Sequence, residues 1–358
     1  MEEVLKAKRH GDYGLMLELI DKALQGDSVS KEIYREMFFL RLEALCFQGL
    51  YGEARCFIDR SDFQERSFAY LKAVRNSTDT ISSLLWFERK VNAYVDVYGG
   101  YEHKLFNLAL LYNFWGLKDR ALFTLKRRFD YMIEENIRQL PTQKAVDKSW
   151  SGLAHQALMD AHRSFEESGL EFFLISGTLL GVVRDGKLLE HDYDIDIGVD
   201  ESVGFDRILS AMFRGGCFSY IGGFQNVFIS FMHVGGVKVD IFFHYALGNV
   251  YRHRSRYVAW DNSKFDLAEK RVLGERFLVP QDSDRYLTEN YGDWSRPVEN
   301  YDTYLDTPNL SILCEDDMLF QLLLKMMDSY FSGDSVMFNR FCRKYIELGG
   351  GSDYLGLV

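Results

Sequence analysis

Residues 172–200, FFLISGTLLGVVRDGKLLEHDYDIDIGVD, decide the fold of this chain. The stretch ends in DIDIGVD, where acidic and apolar residues alternate strictly, which is typical of a β-strand with one buried face. It is entered through LEFFLISG, a short apolar run rich in Phe and Ile that predicts a buried strand. TLLGVVRDG between the two strands predicts a helix. We therefore expect a mixed sheet with helices around it.

Three aspartates of this stretch, Asp192, Asp194 and Asp196, are spaced two residues apart. On a strand they share one face, with neighbours about 6.6 Å apart at Cα. Two carboxylates about 5 Å apart repel by roughly 3 kcal/mol at an effective dielectric constant of about 20, and a fold rarely keeps such an arrangement without a compensating cation. Such oxygen ligands favour Mg²⁺ or Mn²⁺. The alternative is an edge strand whose acidic face keeps the protein soluble.

A further aspartate, Asp240, favours the cation site over the acidic edge. It lies in VKVDIFF, with apolar residues on both sides, and a buried carboxylate has to be paired, protonated or metal-bound. NVFISFMHV and VKVDIFFHY flank Gly235–Gly236 and predict a β-hairpin. Asp240 is either the general base for an attacking hydroxyl or the ligand of a second metal, and its pattern leaves both roles open.

The start of the predicted helix, Ser176, Gly177 and Thr178, is a candidate phosphate site. A helix start offers free N–H groups and the positive end of the helix dipole, Gly177 allows close approach, and Thr178 adds a hydroxyl. An ordinary cap by Ser176 or Thr178 is compatible with this role. Arg184 suits bidentate contact with a phosphate, and its alternative is a salt bridge to a nearby aspartate. A cation site, a phosphate cradle and an Arg together indicate chemistry at phosphorus.

The order of these motifs resembles the LicD/fukutin-related family of the DNA polymerase beta-type nucleotidyltransferase superfamily. The family pattern has a Gly-Thr/Ser-Leu-Leu-Gly element with a following Arg, a Trp/His-Asp-x-Asp-Ile-Asp-Ile block and a later hydrophobic-Asp-hydrophobic-Phe strand. SGTLLGVVR, HDYDIDI and VDIFF match it here. FLVPQDSDRYLTENYGDWSRP matches its usual ending, through Pro280, Tyr286–Leu287 and the block from Tyr291 to Trp294. The resemblance covers about residues 150–310.

The departures from the family pattern are modest. His191 stands where Trp is frequent and Tyr193 where Asp is frequent, and neither removes a member of the aspartate set. Tyr291 and Trp294 either stack on a base or sugar or pack in the core.

Members of the family transfer phosphocholine or an alditol phosphate from a CDP-activated donor to a glycan and release CMP. The resemblance thus implies a metal-dependent phosphotransferase in bacterial surface polysaccharide (capsule) synthesis, with Mg²⁺ or Mn²⁺ as cofactor. The catalytic residues would be Asp194, Asp196 and Asp240, and the metal ligands Asp192, Asp194, Asp196 and Asp240. The resemblance implies that Gly177, Thr178 and Arg184 bind the donor diphosphate, and the residue patterns add Ser176 and Arg254 to the predicted substrate-binding set.

Arg254 comes from a basic, aromatic cluster, YRHRSRY, which also contains Arg252 and Arg256. The cluster offers contacts for a substrate phosphate or an anionic glycan, and a solvated hairpin or loop is the alternative. Three histidines lack the spacing of a zinc site, namely His191, His233 and His244. We expect them to be structural or to hold residues of the site in position.

The composition excludes several classes of protein. The net charge of −11 over 358 residues argues against a nucleic acid polymer as substrate. Five Cys without CxxC spacing indicate reduced thiols rather than a disulfide framework or a zinc knuckle. The start, MEEVLKAKRHGDYG, lacks the apolar region of a signal peptide, and no window approaches 18 apolar residues, so we expect no transmembrane segment. The prediction is a cytoplasmic protein, also compatible with a peripheral position at the inner face of the membrane.

Residues 1–145 predict helix after helix. Gly49-Leu50 lies between two helical runs with Ala54 in the second, and the pattern recurs 67 residues later at Gly116-Leu117 with Ala121. That spacing is close to twice the ~34-residue period of tetratricopeptide (TPR) repeats. A helix hairpin cannot cover its own apolar face, so we predict stacked TPR-like hairpins, with an unrelated helical bundle as the alternative.

The complete prediction is an α+β protein in which an all-α TPR-like domain, 1–145, precedes a nucleotidyltransferase-type mixed sheet with flanking helices, 146–358. The boundary falls in the polar segment around Pro141. The helical domain is expected to hold the growing glycan or partner glycosyltransferases. Two alternatives remain: a nucleotidyltransferase that moves NMP to a sugar phosphate or other acceptor and releases pyrophosphate, and a scaffold with an inactive nucleotidyltransferase fold.

Overall fold

A computed structural model describes residues 1–25, 29–61, 63, 68–137, 150–190 and 192–357. The described residues form two compact units. The first contains Met1–Lys8, the chain from Asp12 onwards through the N-terminal helices, and the chain from Leu319. The second contains Arg9–Gly11 and the sheet with its helices as far as Met318.

The N-terminal part of the first unit is entirely helical. Two helix starts are capped by the side chains of Asp12 and Ser30, and the helices bury apolar side chains in the interior of the unit. They are α1 (Glu2–Arg9), α2 (Tyr13–Leu24), α3 (Lys31–Phe47), α4 (Tyr51–Arg60), α5 (Phe68–Asn76), α6 (Leu84–Tyr98), α7 (Tyr101–Phe114) and α8 (Lys118–Glu134). Consecutive helices pack against each other, α3 on α4 and α7 on α8.

The turn predicted at Gly49 recurs at Gly116 with the same geometry. Both glycines have a φ of 75°, which an L side chain adopts only with strain. In each turn the next residue donates its N–H to the carbonyl five positions back, at 2.8 Å. Ala54 and Ala121, five positions after the glycines, are fully buried. The repeated hairpin is therefore present, while its interpretation as TPR-like stays a prediction.

The chain from Leu319 packs with these helices rather than with the sheet. The ring of Phe129 on α8 lies 5.5 Å from that of Tyr330, 6.3 Å from Phe338 and 4.6 Å from Tyr354. The sequence-based prediction places this segment in the domain at 146–358. The boundary around Pro141 lies outside the described residues, so the division near residue 145 stays a prediction.

The mixed sheet predicted for the second unit is confirmed. Its described strands are β1 (Phe173–Leu174), β2 (Asp194–Asp200), β3 (Phe218–Phe224), β4 (Phe228–His233), β5 (Lys238–Leu247), β6 (Val250–Arg254), β7 (Val258–Ser263), β8 (Leu267–Val272), β9 (Glu275–Pro280) and β10 (Leu310–Ile312). They follow the order β10-β7-β6-β5-β2-β1-β9-β8, and β3 and β4 extend from β5. β2 runs parallel to β5 and β1 parallel to β9, whereas the other pairs are antiparallel.

The described helices from residue 150 onwards belong to the second unit as far as Met318 and to the first unit from Leu319. They are α9 (Trp150–Glu166), α10 (Ser176–Arg184), α11 (Phe205–Arg214), α12 (Ser283–Tyr291), α13 (Thr303–Asp306), α14 (Glu315–Ser332) and α15 (Ser335–Glu347). α10 packs on β2 and α12 on α10. Among the described residues, none of the helices combines the length and apolarity needed to cross a bilayer.

The alternation along β2 separates its two faces. Ile195, Ile197 and Val199 are fully buried, whereas Asp194 and Asp196 remain partly accessible on the other face. The predicted hairpin also forms, with β4 antiparallel to β5 across Gly235–Gly236. The sheet thus presents one acidic face above an apolar core.

Candidate active site

Three of the predicted carboxylates converge because β2 and β5 are neighbours. The two strands are parallel, with Asp196 opposite Asp240 and Asp194 opposite Lys238. Residues opposite each other on paired strands share a face. Asp194, Asp196 and Asp240 each bring a carboxylate oxygen within 4.8 Å of the other two. The described residues thus bring together a group of oxygen ligands that suits a hard divalent cation.

Negative charge is concentrated at this point of the sheet. Burial raises the pKa of Asp196 well above its usual range, and the charges of Asp194, Asp192 and Asp240 add to the effect. Burial, reinforced by Asp194, raises the pKa of Asp192 to about 7. Both shifts mean that the ionised carboxylates are disfavoured as long as only protein groups surround them. A bound cation would reverse this balance, so the residues present fit a metal ion.

Asp192 lies beside the group of three, and its side chain hydrogen-bonds with Asp194. Its Oδ2 lies against Gly177 so closely that a Cβ on Gly177 would overlap it. Asp192 therefore lies between Asp194 and the start of α10. Three of the four predicted metal ligands thus lie together, and the fourth, Asp192, faces the predicted phosphate site at the start of α10.

Lys238 belongs to the site and was missed in the sequence. Its Nζ donates to Asp240 Oδ2 at 2.5 Å and to Asp194 Oδ2 at 3.4 Å. Burial alone would lower the pKa of Lys238, but Asp240 and Asp194 outweigh it and raise the pKa. The signal was available, because Lys238 precedes Asp240 by two residues on a predicted strand and so shares its face.

Asp240 is held from two sides. Ser230 on β4 donates its hydroxyl to Asp240 Oδ1 at 2.6 Å, while Lys238 occupies Oδ2. The carboxylate is only 7% exposed. Burial raises its pKa, against the opposing influence of Lys238 and Ser230. Each carboxylate oxygen of Asp240 thus already accepts a hydrogen bond from the protein.

The start of α10 lies beside the carboxylates. Ser176 has a φ of 48°, an unusual left-handed conformation for a residue other than Gly. The residue before it, Ile175, is the cap position and makes no side-chain cap bond, so neither Ser176 nor Thr178 acts as the ordinary cap. Thr178 is instead buried, and its hydroxyl accepts the backbone N–H of Asp196 at 2.9 Å. Thr178 thereby fixes α10 to the carboxylate strand.

The two predicted substrate-binding arginines lie in different surroundings. Arg184 ends α10 and donates to both carboxylate oxygens of Asp185, at 3.1 and 3.0 Å. Arg254 is on β6, where the register continues the Asp240 face through His253 and leaves Arg254 on the opposite face. The YRHRSRY cluster thus forms β6 and the turn into β7, which is a hairpin, and the pairing does not bring Arg254 to the carboxylates.

The aromatic residues after β9 lie on or near α12, which packs against α10. Tyr286 and Leu287 on α12 are buried, and burial together with the charge of Asp196 raises the pKa values of Tyr286 and Tyr291. The rings of Tyr291 and Tyr301 lie 5.4 Å apart, which supports the packing interpretation of Tyr291. Trp294 lies beyond the end of α12 and is partly exposed.

The described histidines of the predicted set, His233 and His244, are buried and contact other protein groups. His233 Nδ1 accepts the N–H of Gly235 at 3.0 Å, so Nε2 carries the proton and donates to Asp160 at 3.1 Å. This pair joins β4 to α9, with the partly buried Cys217 beside it. His244 is fully buried, and burial lowers its pKa to about 4. His191 lies outside the described residues.

Comparison with known proteins supports the interpretation of the motifs. Residues 169–280 match the family model described as LicD/FKTN/FKRP, nucleotidyltransferase domain. Over 167 residues the chain is 27% identical to the ribitol-5-phosphate transferase FKTN of Macaca fascicularis and 26% identical to those of Homo sapiens and Mus musculus. The match covers 44% of this chain and 36% of each relative, so the chain spans little more than a third of their length. The predicted resemblance is confirmed for the segment that contains the carboxylates.

Proposed function

Residues 169–280 of this chain match the LicD/FKTN/FKRP domain. We propose that the chain is a metal-dependent phosphotransferase that moves a phosphorylated small group from a CDP-linked donor to a glycan hydroxyl. The convergence of Asp194, Asp196 and Asp240 within 4.8 Å carries the proposal, because all three lie inside the matched segment. The names of the relatives favour an alditol phosphate such as ribitol phosphate as the transferred group, with phosphocholine as the other choice.

The proposed reaction makes one bond to phosphorus and breaks another. The acceptor oxygen bonds to the phosphorus that carries the small group, and the bond from this phosphorus to the bridging oxygen of CMP breaks. Mg²⁺ or Mn²⁺, held by Asp194 and Asp196 with Asp192 beside them, would supply positive charge to the phosphate oxygens. The hydroxyl proton passes to a base. Asp240 is the candidate base, since its two oxygens keep further lone pairs beside the hydrogen bonds from Lys238 and Ser230.

The other predicted residues have roles that follow from their positions. The uncapped start of α10 at Gly177 presents N–H groups to the donor diphosphate. Arg184 reaches the diphosphate by exchanging Asp185 for a phosphate, which has the same bidentate geometry. Thr178 acts indirectly, because its hydroxyl positions Asp196.

The acceptor in this proposal is a glycan of a bacterial surface polysaccharide, modified in the cytoplasm or at the inner face of the membrane. The helical unit would hold this glycan or a partner glycosyltransferase. Its described surface exposes apolar side chains that support a binding role, among them Leu85 and Phe123, 66% and 63% exposed. Leu85→Gln with Phe123→Gln should weaken turnover on long acceptors and spare short ones. Equal turnover on both would refute this part.

Calorimetry with CDP, CTP, UDP and GDP, with and without Mg²⁺, tests the donor class on wild type and Asp194→Ala. We expect Mg²⁺-dependent binding of cytidine nucleotides that the substitution abolishes. CDP-ribitol and CDP-choline with a glycan acceptor should then release CMP. Release of pyrophosphate from CTP would favour an NMP-transferring enzyme, and the absence of any nucleotide binding would favour a scaffold.

A further inference from the structure

The cluster of Asp194, Asp196 and Asp240 includes a positive charge that the chain itself supplies. Two rungs of the parallel ladder, Asp194 opposite Lys238 and Asp196 opposite Asp240, place three carboxylates and one ammonium on the same face. The ammonium of Lys238 lies 2.5 Å from Asp240 and 3.4 Å from Asp194. It therefore bridges the two strands, as a metal ion shared by their carboxylates would.

The hydrogen bonds of Asp240 restrict what else can bind there. Oδ2 accepts from Lys238 and Oδ1 from Ser230, whose hydroxyl is held on the neighbouring strand β4. A metal ion that used Asp240 would have to share these oxygens with both donors, one of which is positively charged. On β2, Asp194 has a longer contact with Lys238, at 3.4 Å, and a hydrogen bond with Asp192.

The charges of the group support a single ion. Asp194, Asp196 and Asp240 carry three negative charges when ionised, and one divalent ion with Lys238 supplies three positive charges. A second divalent ion in this space would have to lie close to the ammonium, and the two positive charges would repel each other. Lys238 and a second ion therefore exclude each other.

We propose that Lys238 takes the place of a second divalent cation, so that this site binds one ion, on Asp194 and Asp196, and uses an ammonium beside Asp240. The inference deepens the proposed function and rests on it. The Lys238 side chain is 38% exposed, so its ammonium is also accessible to a phosphate oxygen of the donor. Lys238 thus acts as a positioning residue for Asp240 and as a fixed positive charge.

Titration of the full chain with Mn²⁺, followed by the electron paramagnetic resonance of the free ion, tests this without any donor. We expect one Mn²⁺ per chain for wild type and two for Lys238→Met, which keeps the length of the side chain and removes its charge. Lys238→Arg keeps the charge and should bind one. Lys187→Met removes a lysine that pairs with Glu190 away from the carboxylates, and should also bind one. Circular dichroism checks that every variant is folded.

The outcomes separate this inference from the function on which it rests. Two ions bound by wild type would overturn the inference and leave the metal-dependent function intact. One ion bound by folded Lys238→Met would do the same, since the ammonium would then not be what excludes the second ion. If wild type bound no Mn²⁺, both the inference and the proposed metal-dependent function would fall.

Discussion

The backbone N–H of Asp196 donates to the hydroxyl of the buried Thr178 at 2.9 Å, and this bond joins α10 to the carboxylate strand. Thr178→Val keeps the shape and leaves the N–H without its partner, which should cost ~1–3 kcal/mol of stability. Because Asp196 then loses its fixed position, Mn²⁺ affinity should fall as well. Thr178→Ser keeps the hydroxyl and should keep the affinity. Equal loss of affinity in both variants would show that the hydrogen bond is not what matters.

The carboxylates of β2 should differ sharply in their effect on activity. Asp194→Asn and Asp196→Asn each remove a charge from the metal group, so turnover should fall at least ~100-fold with the fold retained. Asp200→Asn is the matched control, because Asp200 ends the same strand and bonds instead to Ser202 and Tyr251. Steady-state kinetics and Mn²⁺ titration provide the readout. A comparable loss in Asp200→Asn would contradict the assignment.

Gly177→Ala should disturb the site rather than the fold. The added Cβ would overlap Asp192 Oδ2, and the carboxylate can move away more easily than the backbone. We expect the KM for the donor to rise roughly tenfold, equivalent to about 1.4 kcal/mol, with Mn²⁺ binding kept. Gly152→Ala on α9 is the control, since its Cβ meets nothing within 4 Å and should stabilise the protein by up to ~1 kcal/mol. An unchanged KM in Gly177→Ala would argue against a donor phosphate at this helix start.

Arg184 and Asp185 can be separated by substitution. The pair is partly exposed, 16% and 35% for the two side chains, so losing it should cost less than ~1 kcal/mol of stability. If Arg184 grips the donor, Arg184→Ala should raise the KM for the donor by ~10-fold or more. Asp185→Asn frees the guanidinium and should leave the KM unchanged or lower it. Matching increases of KM in both variants would identify the salt bridge itself as the functional element.

The buried His244 should make stability depend on pH. Burial lowers its folded-state pKa to about 4, and its neighbours are the stacked ring of His253, Tyr251 and the carboxylate of Asp200. Above about pH 6.5 both folded and unfolded states hold it neutral. As the pH falls towards 4, only the unfolded chain gains the proton, so up to about 3 kcal/mol of stability is lost.

His244→Asn isolates this contribution, because the amide can keep the hydrogen bond that Nδ1 donates to the carbonyl of Phe242. Urea unfolding at several pH values should show the advantage of wild type over the variant shrinking between pH 6.5 and 4. The comparison also removes the opposing effect of Asp196, whose raised pKa favours the folded state at low pH. A constant difference across this range would contradict the prediction.

The local parts of the fold were predictable from the sequence. The strict alternation of DIDIGVD and the turn at Gly235–Gly236 depend on neighbouring residues, so β2 and the β4–β5 hairpin could be deduced. The parallel pairing of β2 with β5 joins segments that lie far apart in the chain, and no local pattern specifies it. The convergence of the aspartates could therefore be expected from the family resemblance, but their register could not.

The remaining differences depend on strand register and on burial. Arg254 was grouped with the site because of its charge, yet the register of β6 determines which face of the sheet it occupies. A lysine beside an apolar run is usually a surface residue, so the sequence does not single out Lys238. Its role follows from the burial of its partner Asp240. The residues of α15 likewise do not indicate by their spacing that this helix belongs to the first unit.

The return of the C-terminal helices to the first unit also affects how the protein is made. Phe129 is fully buried against Tyr330, Phe338 and Tyr354, which are synthesised only after the whole sheet. At roughly 5–20 residues per second, the apolar face of α8 on the nascent chain waits on the order of ten seconds or more for these partners. The unit that leaves the ribosome first is therefore completed last, and a chaperone that protects apolar helices during translation would be needed most at this stage.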